Sequence, residues 1–134
     1  MSVSWSELYA RRKETNRRFP SLHRLPTVRR AIRLAEPLVG DGVRILEVGG
    51  GPNPRAARLA SSVRDATVVT VDPDPAAAAD HATVDDAEGP FDLALCLETI
   101  EHLSLEDGRA LLEAVRERMA PGGSLLVSTP NVFC

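Results

Sequence analysis

Cysteine is scarce in this 134-residue chain, where Cys96 and Cys134 are the only two. Two thiols make neither the disulfide framework of a small secreted domain nor a four-cysteine zinc site. Cys96 lies in the apolar run Leu93-Ala94-Leu95-Cys96-Leu97 and reads as a core thiol, which suits a reducing, cytoplasmic setting. Aromatic residues make up only 4% of the chain, too few for the stacking platforms that hold single-stranded nucleic acid. No apolar run approaches the roughly 20 residues of a membrane helix, and the first 20 residues lack the apolar core of a secretory signal. Internal repeats and low-complexity tracts are missing too, apart from the short run Ala76 to Ala79.

What is present is material for one domain. Hydrophobic residues are 43% of the chain, and domains commonly run to about 100–150 residues. The net charge of −3 hides an asymmetry. Residues 1–35 hold nine basic and two acidic side chains, a net +7, whereas residues 36–134 carry seven basic and seventeen acidic, a net −10. A basic arm on an acidic body covers that body, self-associates or meets an anionic partner. We read residues 1–40 as a basic helical cover, with helices over Trp5–Arg18 and Thr27–Glu36 separated near Phe19-Pro20, and residues 41–134 as the core.

From residue 43 short apolar runs alternate with helical stretches. Val43 to Val48 reads as a strand, followed by the turn Gly49-Gly50-Gly51. Asn53 and Pro54 predict the cap and first position of a helix to about Val63. Thr67–Val71 is a β-branched second strand, Pro75–Asp80 a short helix and His81–Val84 a short third strand. Phe91–Leu97 is a buried fourth strand. Ser104 caps a helix to about Met119, Pro121-Gly122-Gly123 stops it, and Ser124–Thr129 forms a fifth strand. This alternation predicts an α/β fold, a doubly wound, Rossmann-like parallel sheet of about five strands.

In such a sheet ligands bind beyond the carboxyl ends of the strands. Gly49-Gly50-Gly51 lets backbone approach a ligand at a helix N-terminus that favours an anion. Asp72 ends the second strand 23 residues after Gly49, where an acidic side chain can accept hydrogen bonds from both hydroxyls of a ribose. Together they point to a nucleoside-containing cofactor. The plainer alternative is a tight turn beside a solvated Asp.

Several segments resemble class I S-adenosylmethionine-dependent methyltransferases. Ile45-Leu46-Glu47-Val48-Gly49-Gly50-Gly51 is similar to their first motif, and Val71-Asp72-Pro73 to their ribose motif. Asp85-Asp86-Ala87-Glu88 with Phe91-Asp92 resembles the adenine-side acidic loop and fourth strand. Leu97-Glu98-Thr99-Ile100-Glu101-His102-Leu103 and Ala120 to Asn131 resemble the later motifs. All stand in the family's order over residues 43–131. The resemblance implies strand order 3-2-1-4-5 and S-adenosyl-L-methionine as cofactor. It implies that Gly49, Gly50 and Gly51 pass beneath the methionine part, with Glu47 holding the loop. Asp72, followed by Pro73, would take the ribose, Asp86 and the Ala87 backbone would face the adenine, and Leu97 and Glu98 would line the methionine end.

Two departures stand out. Asn53 replaces the usual third glycine, although Asn tolerates positive φ better than most residues. The family also continues past strand five with a helix and an antiparallel strand pair, whereas this chain stops at Cys134. The expectation is a truncated form whose fifth strand is an exposed edge, covered by the N-terminal helices or by a second copy.

Glu98, Glu101 and His102 can be read as a divalent-metal site, with Mg as the ion, similar to that of ubiquinone-type O-methyltransferases and small-RNA 2′-O-methyltransferases. Glu101 and His102 can equally act as metal-free catalytic groups, with His102 as general base. The leading functional reading is methyl transfer to a hydroxyl, amine or carbon nucleophile of a small molecule. A non-catalytic cofactor-binding or interaction module is the alternative, and RNA methylation a lesser one. A nicotinamide oxidoreductase fits poorly, because Pro54 stands at the sixth position of the loop where a glycine is required.

Overall fold

Strand polarity and alternation set the architecture. The computed structural model describes residues 5–18 and 27–130. Among these, β1 (Arg44–Val48), β2 (Thr67–Val71), β3 (Phe91–Leu97) and β4 (Met119–Ser128) form one parallel sheet in the order β2-β1-β3-β4. The helices are α1 (Trp5–Arg18), α2 (Thr27–Ala35), α3 (Ala56–Ala60) and α4 (Leu105–Glu117). The expected break at Phe19-Pro20, together with Asn131 and Cys134, lies outside the described residues.

Side chains of period two divide the apolar residues between two faces. Ile45, Leu93, Leu95 and Leu97 point to one side, against Ala31 and Ala35 of α2 and Ala56 and Leu59 of α3. Leu46, Val48, Val71 and Ala94 point to the other, against Val115 of α4 and the loop residues Val84 and Ala87. Each fully buried Leu or Ile contributes about 1.5–3 kcal/mol. The small residues Ala31 and Ala35 are one helical turn apart, so α2 lies close on the sheet and shares its core. Cys96 is buried, as its apolar run implies. No helix among the described residues is long and apolar enough to cross a membrane.

Three local expectations need correction. The third strand shrinks to a single bridge between Val71 and His81. The Asp80 carboxylate accepts from the Thr70 N–H and hydroxyl, both at 2.8 Å, and Ala82 and Thr83 are exposed. Only Val84 of this segment is buried, and the pairing gives way to a 3-10 turn over Val84–Asp86. The bridge still falls outside β2, the side on which a third strand was expected. The alanine run shortens to a 3-10 turn over Pro75–Ala77, ended by Ala78 at φ 52°. The last strand begins at Met119, so Pro121-Gly122-Gly123 lies within it. Phe91 pairs with Met119 and Leu93 with Ser124, an irregularity that accommodates the extra residues. Gly122 sits there at φ 82°.

Candidate functional site

The turn after β1 is built from both ends. Gly49 and Gly51 adopt φ of 72° and 59°, a region that costs glycine little. The Gly49 N–H donates to the Val71 carbonyl at 2.8 Å. A Cβ on Gly49 would fall 2.5 Å from Thr99 Cγ2 and Oγ1, so the turn passes directly against the end of β3.

Asp72 ties this turn to β2. Its Oδ2 accepts from the Gly51 N–H and its Oδ1 from the Asp74 N–H, each at 2.9 Å. A carboxylate offers about four lone-pair sites, so both oxygens retain capacity for further donors.

Glu47 does different work. It is 1% exposed, and its Oε1 and Oε2 accept from the backbone N–H groups of Arg55 and Ala56 at 2.9 and 2.6 Å. The helix cap expected of Asn53 is therefore supplied by a carboxylate from β1, and α3 starts two residues later than Pro54 implied. Two of the N–H groups that the helix start leaves without an intrahelical partner are thus satisfied by one side chain. Gly50 fits beside it, where a Cβ would stand 3.0 Å from Glu47 Oε1.

A cavity of about 580 Å3 opens at the carboxyl ends of the strands, well within the size of small-molecule sites. Val48, Gly49, Asp72 and Pro73 form its floor. Ala82 to Asp85 form one wall, and Asp107, Ala110, Leu111 and Ala114 of α4 form the wall opposite. Glu98, Thr99, His102 and Leu103 close the side at the end of β3.

The sequence-derived residues divide accordingly. Gly49, Asp72, Pro73, Glu98 and His102 line the cavity. Gly50 and Gly51 belong to the turn, and Glu47 caps α3 beside it. Leu97, 2% exposed, belongs to the core instead. Asp86 and Ala87 stand off the wall: Asp86 Oδ2 accepts from the Thr83 hydroxyl at 2.8 Å, and Ala87 is buried. Asp85 takes the wall position, because the 3-10 turn over Val84–Asp86 directs successive side chains differently.

Glu98 has φ 56°, a left-handed conformation that costs a non-glycine residue about 1–2 kcal/mol. Its N–H donates to the Ser128 carbonyl at 2.9 Å, and its Oε1 accepts from the Ser128 hydroxyl at 2.8 Å. That bond draws Glu98 toward β4. Glu101 does not line the cavity, and its Oε1 is 4.0 Å from His102 Nε2, too far for a hydrogen bond. Of the metal set read from the sequence, Glu98 and His102 share the cavity and Glu101 does not. Among the described residues no three His, Cys, Asp or Glu side chains converge on a metal position.

Sequence reasoning placed Asp85 in the adenine-side loop but gave the contact to Asp86, and it assigned no site role to Thr99 or to the Ala110, Leu111 and Ala114 face of α4. The α4 residues carried a signal, since they recur at helical spacing. Thr99 carried none, because its role depends on the close approach of Gly49.

The comparisons fit this geometry. A search of curated proteins finds no match. Among solved structures the chain is similar to a TehB-like SAM-dependent methyltransferase from Corynebacterium glutamicum, with TM-score 0.65 and 22% identity over 91% of this chain and 71% of that one. It also resembles coclaurine N-methyltransferase bound to N-methylheliamine and SAH, with TM-score 0.59 and 18% identity over 75% of this chain and 35% of that one. PKMT2 from Rickettsia typhi in complex with AdoHcy gives TM-score 0.55 and 17% identity over 64% of this chain. The chain spans 20% of the length of that protein. The family described as methyltransferase domain matches residues 10–134, and the chain belongs to that family, with the fold of the class I S-adenosylmethionine-dependent methyltransferases.

Proposed function

We propose that the chain binds S-adenosylmethionine in the cavity above β1, β2 and β3 and transfers its methyl group to a small-molecule hydroxyl, amine or carbon nucleophile. The observation that carries this reading is Asp72. Its carboxylate lines the cavity at the end of β2 while fixing the glycine turn, so one group can orient a ribose and the loop beneath the ligand.

The residues fit the cofactor in three ways. Gly49 lines the cavity with bare backbone, Asp72 offers acceptors for paired hydroxyls, and Ala110, Leu111 and Ala114 give an apolar wall for a flat base. When bound, S-adenosylmethionine would supply a methyl group on sulfonium sulfur, whose carbon would bond to the acceptor's lone pair as the C–S bond breaks in line and S-adenosylhomocysteine leaves. The chain's contribution is alignment and exclusion of water, which together can remove several kcal/mol of barrier. His102, at the cavity edge, would take the proton of a hydroxyl or ammonium acceptor at an imidazole nitrogen.

Turnover tests the proposal. Purified protein is incubated with S-adenosylmethionine and a panel of phenols, alcohols and amines, and S-adenosylhomocysteine is quantified. Formation that depends on an acceptor supports the reading. Cofactor binding without turnover on any acceptor would favour the non-catalytic module.

A further inference from the structure

We propose that Arg118 is a positioning residue for recognition of the cofactor's base, acting through Asp85. The inference rests on the cofactor reading above and assigns a role to a residue outside the cavity.

Arg118 follows the last turn of α4 and precedes β4. Its guanidinium is spread over four acceptors. Nη2 donates to Asp85 Oδ1 at 2.9 Å and to the Asp85 carbonyl at 3.0 Å. Nε donates to the Ala87 carbonyl at 3.2 Å, and Nη1 to the Ala114 carbonyl at 3.0 Å. One side chain thus joins both walls of the cavity, the segment at 82–85 and the α4 face ending at Ala114. Its own backbone carbonyl accepts from the Phe91 N–H at 2.8 Å, which anchors it to the start of β3.

The side chain of Arg118 is 19% exposed and that of Asp85 78%, so a well-fixed cation holds a carboxylate that faces open space. Only Oδ1 of Asp85 is taken by Arg118. Oδ2 has no protein donor among the described residues and can accept from a donor on a ligand. A fixed acceptor at the mouth of an apolar slot favours a base with an exocyclic amino group over one with an oxygen there. The oxygen would set two acceptors against each other. Lysine cannot replace the arginine, since a single ammonium does not reproduce a planar fork with four aligned bonds.

Arg44 provides an internal control. It grips the far half of the same loop, with Nη1 on the Pro90 carbonyl at 3.0 Å and Nη2 on the Glu88 carbonyl at 2.9 Å. It does not touch Asp85. Loss of Arg44 loosens the loop without releasing the acceptor.

The test measures Kd for S-adenosylhomocysteine and for S-inosylhomocysteine, in which the amino group is replaced by oxygen, with melting curves for every variant. Wild type should prefer the adenine compound by about tenfold or more, the scale of one charged hydrogen bond. Asp85→Asn, Arg118→Met and Arg118→Lys should each bring that ratio close to one, mainly by weakening the adenine compound. Arg44→Met should lower the melting temperature and leave the ratio unchanged. The proposal is overturned if Arg118→Met and Arg118→Lys keep the wild-type ratio, or if both ligands weaken equally. Should those two variants fail to fold, a wild-type ratio in Asp85→Asn overturns it alone. Wild type that binds neither ligand contradicts the cofactor reading and this inference with it, whereas wild type that binds both equally contradicts only this inference.

Discussion

Asp72 Oδ2 accepts the backbone N–H of Gly51 at 2.9 Å, tying the end of β2 to the turn after β1. The residue placed to meet a ligand therefore also shapes the loop on which that ligand would rest. Ligand affinity and local order depend on the same carboxylate. Glu47, by contrast, is turned into the protein and serves the helix alone, so substitutions at the two acids should separate binding from folding.

Glu47→Gln should destabilise the fold by about 1–3 kcal/mol, the range for leaving a buried polar group poorly paired. A carboxamide keeps one acceptor and turns an NH2 toward one of the two N–H groups now bound. Glu47→Ala should cost at least as much, since both N–H groups lose their partner. Denaturant midpoints measure this. A midpoint unchanged in both variants would show that α3 does not need the Glu47 carboxylate.

Gly49→Ala should impair folding and ligand binding together. The new methyl would lie 2.5 Å from Thr99 Oγ1 at a φ of 72°. Adding Thr99→Ala removes the two atoms at 2.5 Å but leaves a Cβ at 3.1 Å and the backbone strain, so the double variant should recover part of the lost stability, with at least about 1–2 kcal/mol remaining for the left-handed Ala. Thermal melts of the two single variants and the double variant test this. Full additivity would refute the contact.

Burial pushes the Cys96 thiol above its ordinary range, with the Thr99 hydrogen bond opposing the shift and the Glu101 charge adding to it. Below pH of about 8 the folded and unfolded chains both keep the proton. As pH rises through about 8.5, the unfolded chain releases it first, so the unfolded state binds fewer protons and folding stability falls. With Cys134 replaced by Ser, stability should drop more between pH 8 and 10 when Cys96 is present than when it is Ala. Parallel curves would contradict the shift. Native Cys96 should also react slowly with a thiol reagent at pH 8.

The central strands and the Ser104 cap were legible because they depend on local pattern. Thr67–Val71 and Phe91–Leu97 match their expected bounds, and the Ser104 hydroxyl accepts from the Asp107 N–H at 3.1 Å. The site was legible where a residue type was tied to a strand end, as at Asp72 and Gly49. Sequence failed where a distant group replaced a local one. Asn53 is a good cap by type, yet Glu47 supplies the cap from eight residues before Arg55. Asp86 and Asp85 look alike as neighbours, and only the 3-10 turn decides which one faces the cavity. Arg118 stands 33 residues from Asp85, a pairing that no local pattern encodes.

Calorimetric titration with S-adenosylhomocysteine tests the central claim most directly. The account predicts saturable heat with wild type, and a loss of affinity on the order of 100-fold in Asp72→Ala, as expected when two charged hydrogen bonds to a ribose are removed. Asp72→Ala should remain folded by circular dichroism, so that the loss reports on the ribose contact and the turn that the same carboxylate fixes. Absence of heat with folded wild type at high micromolar ligand, or undiminished affinity in Asp72→Ala, would contradict the account.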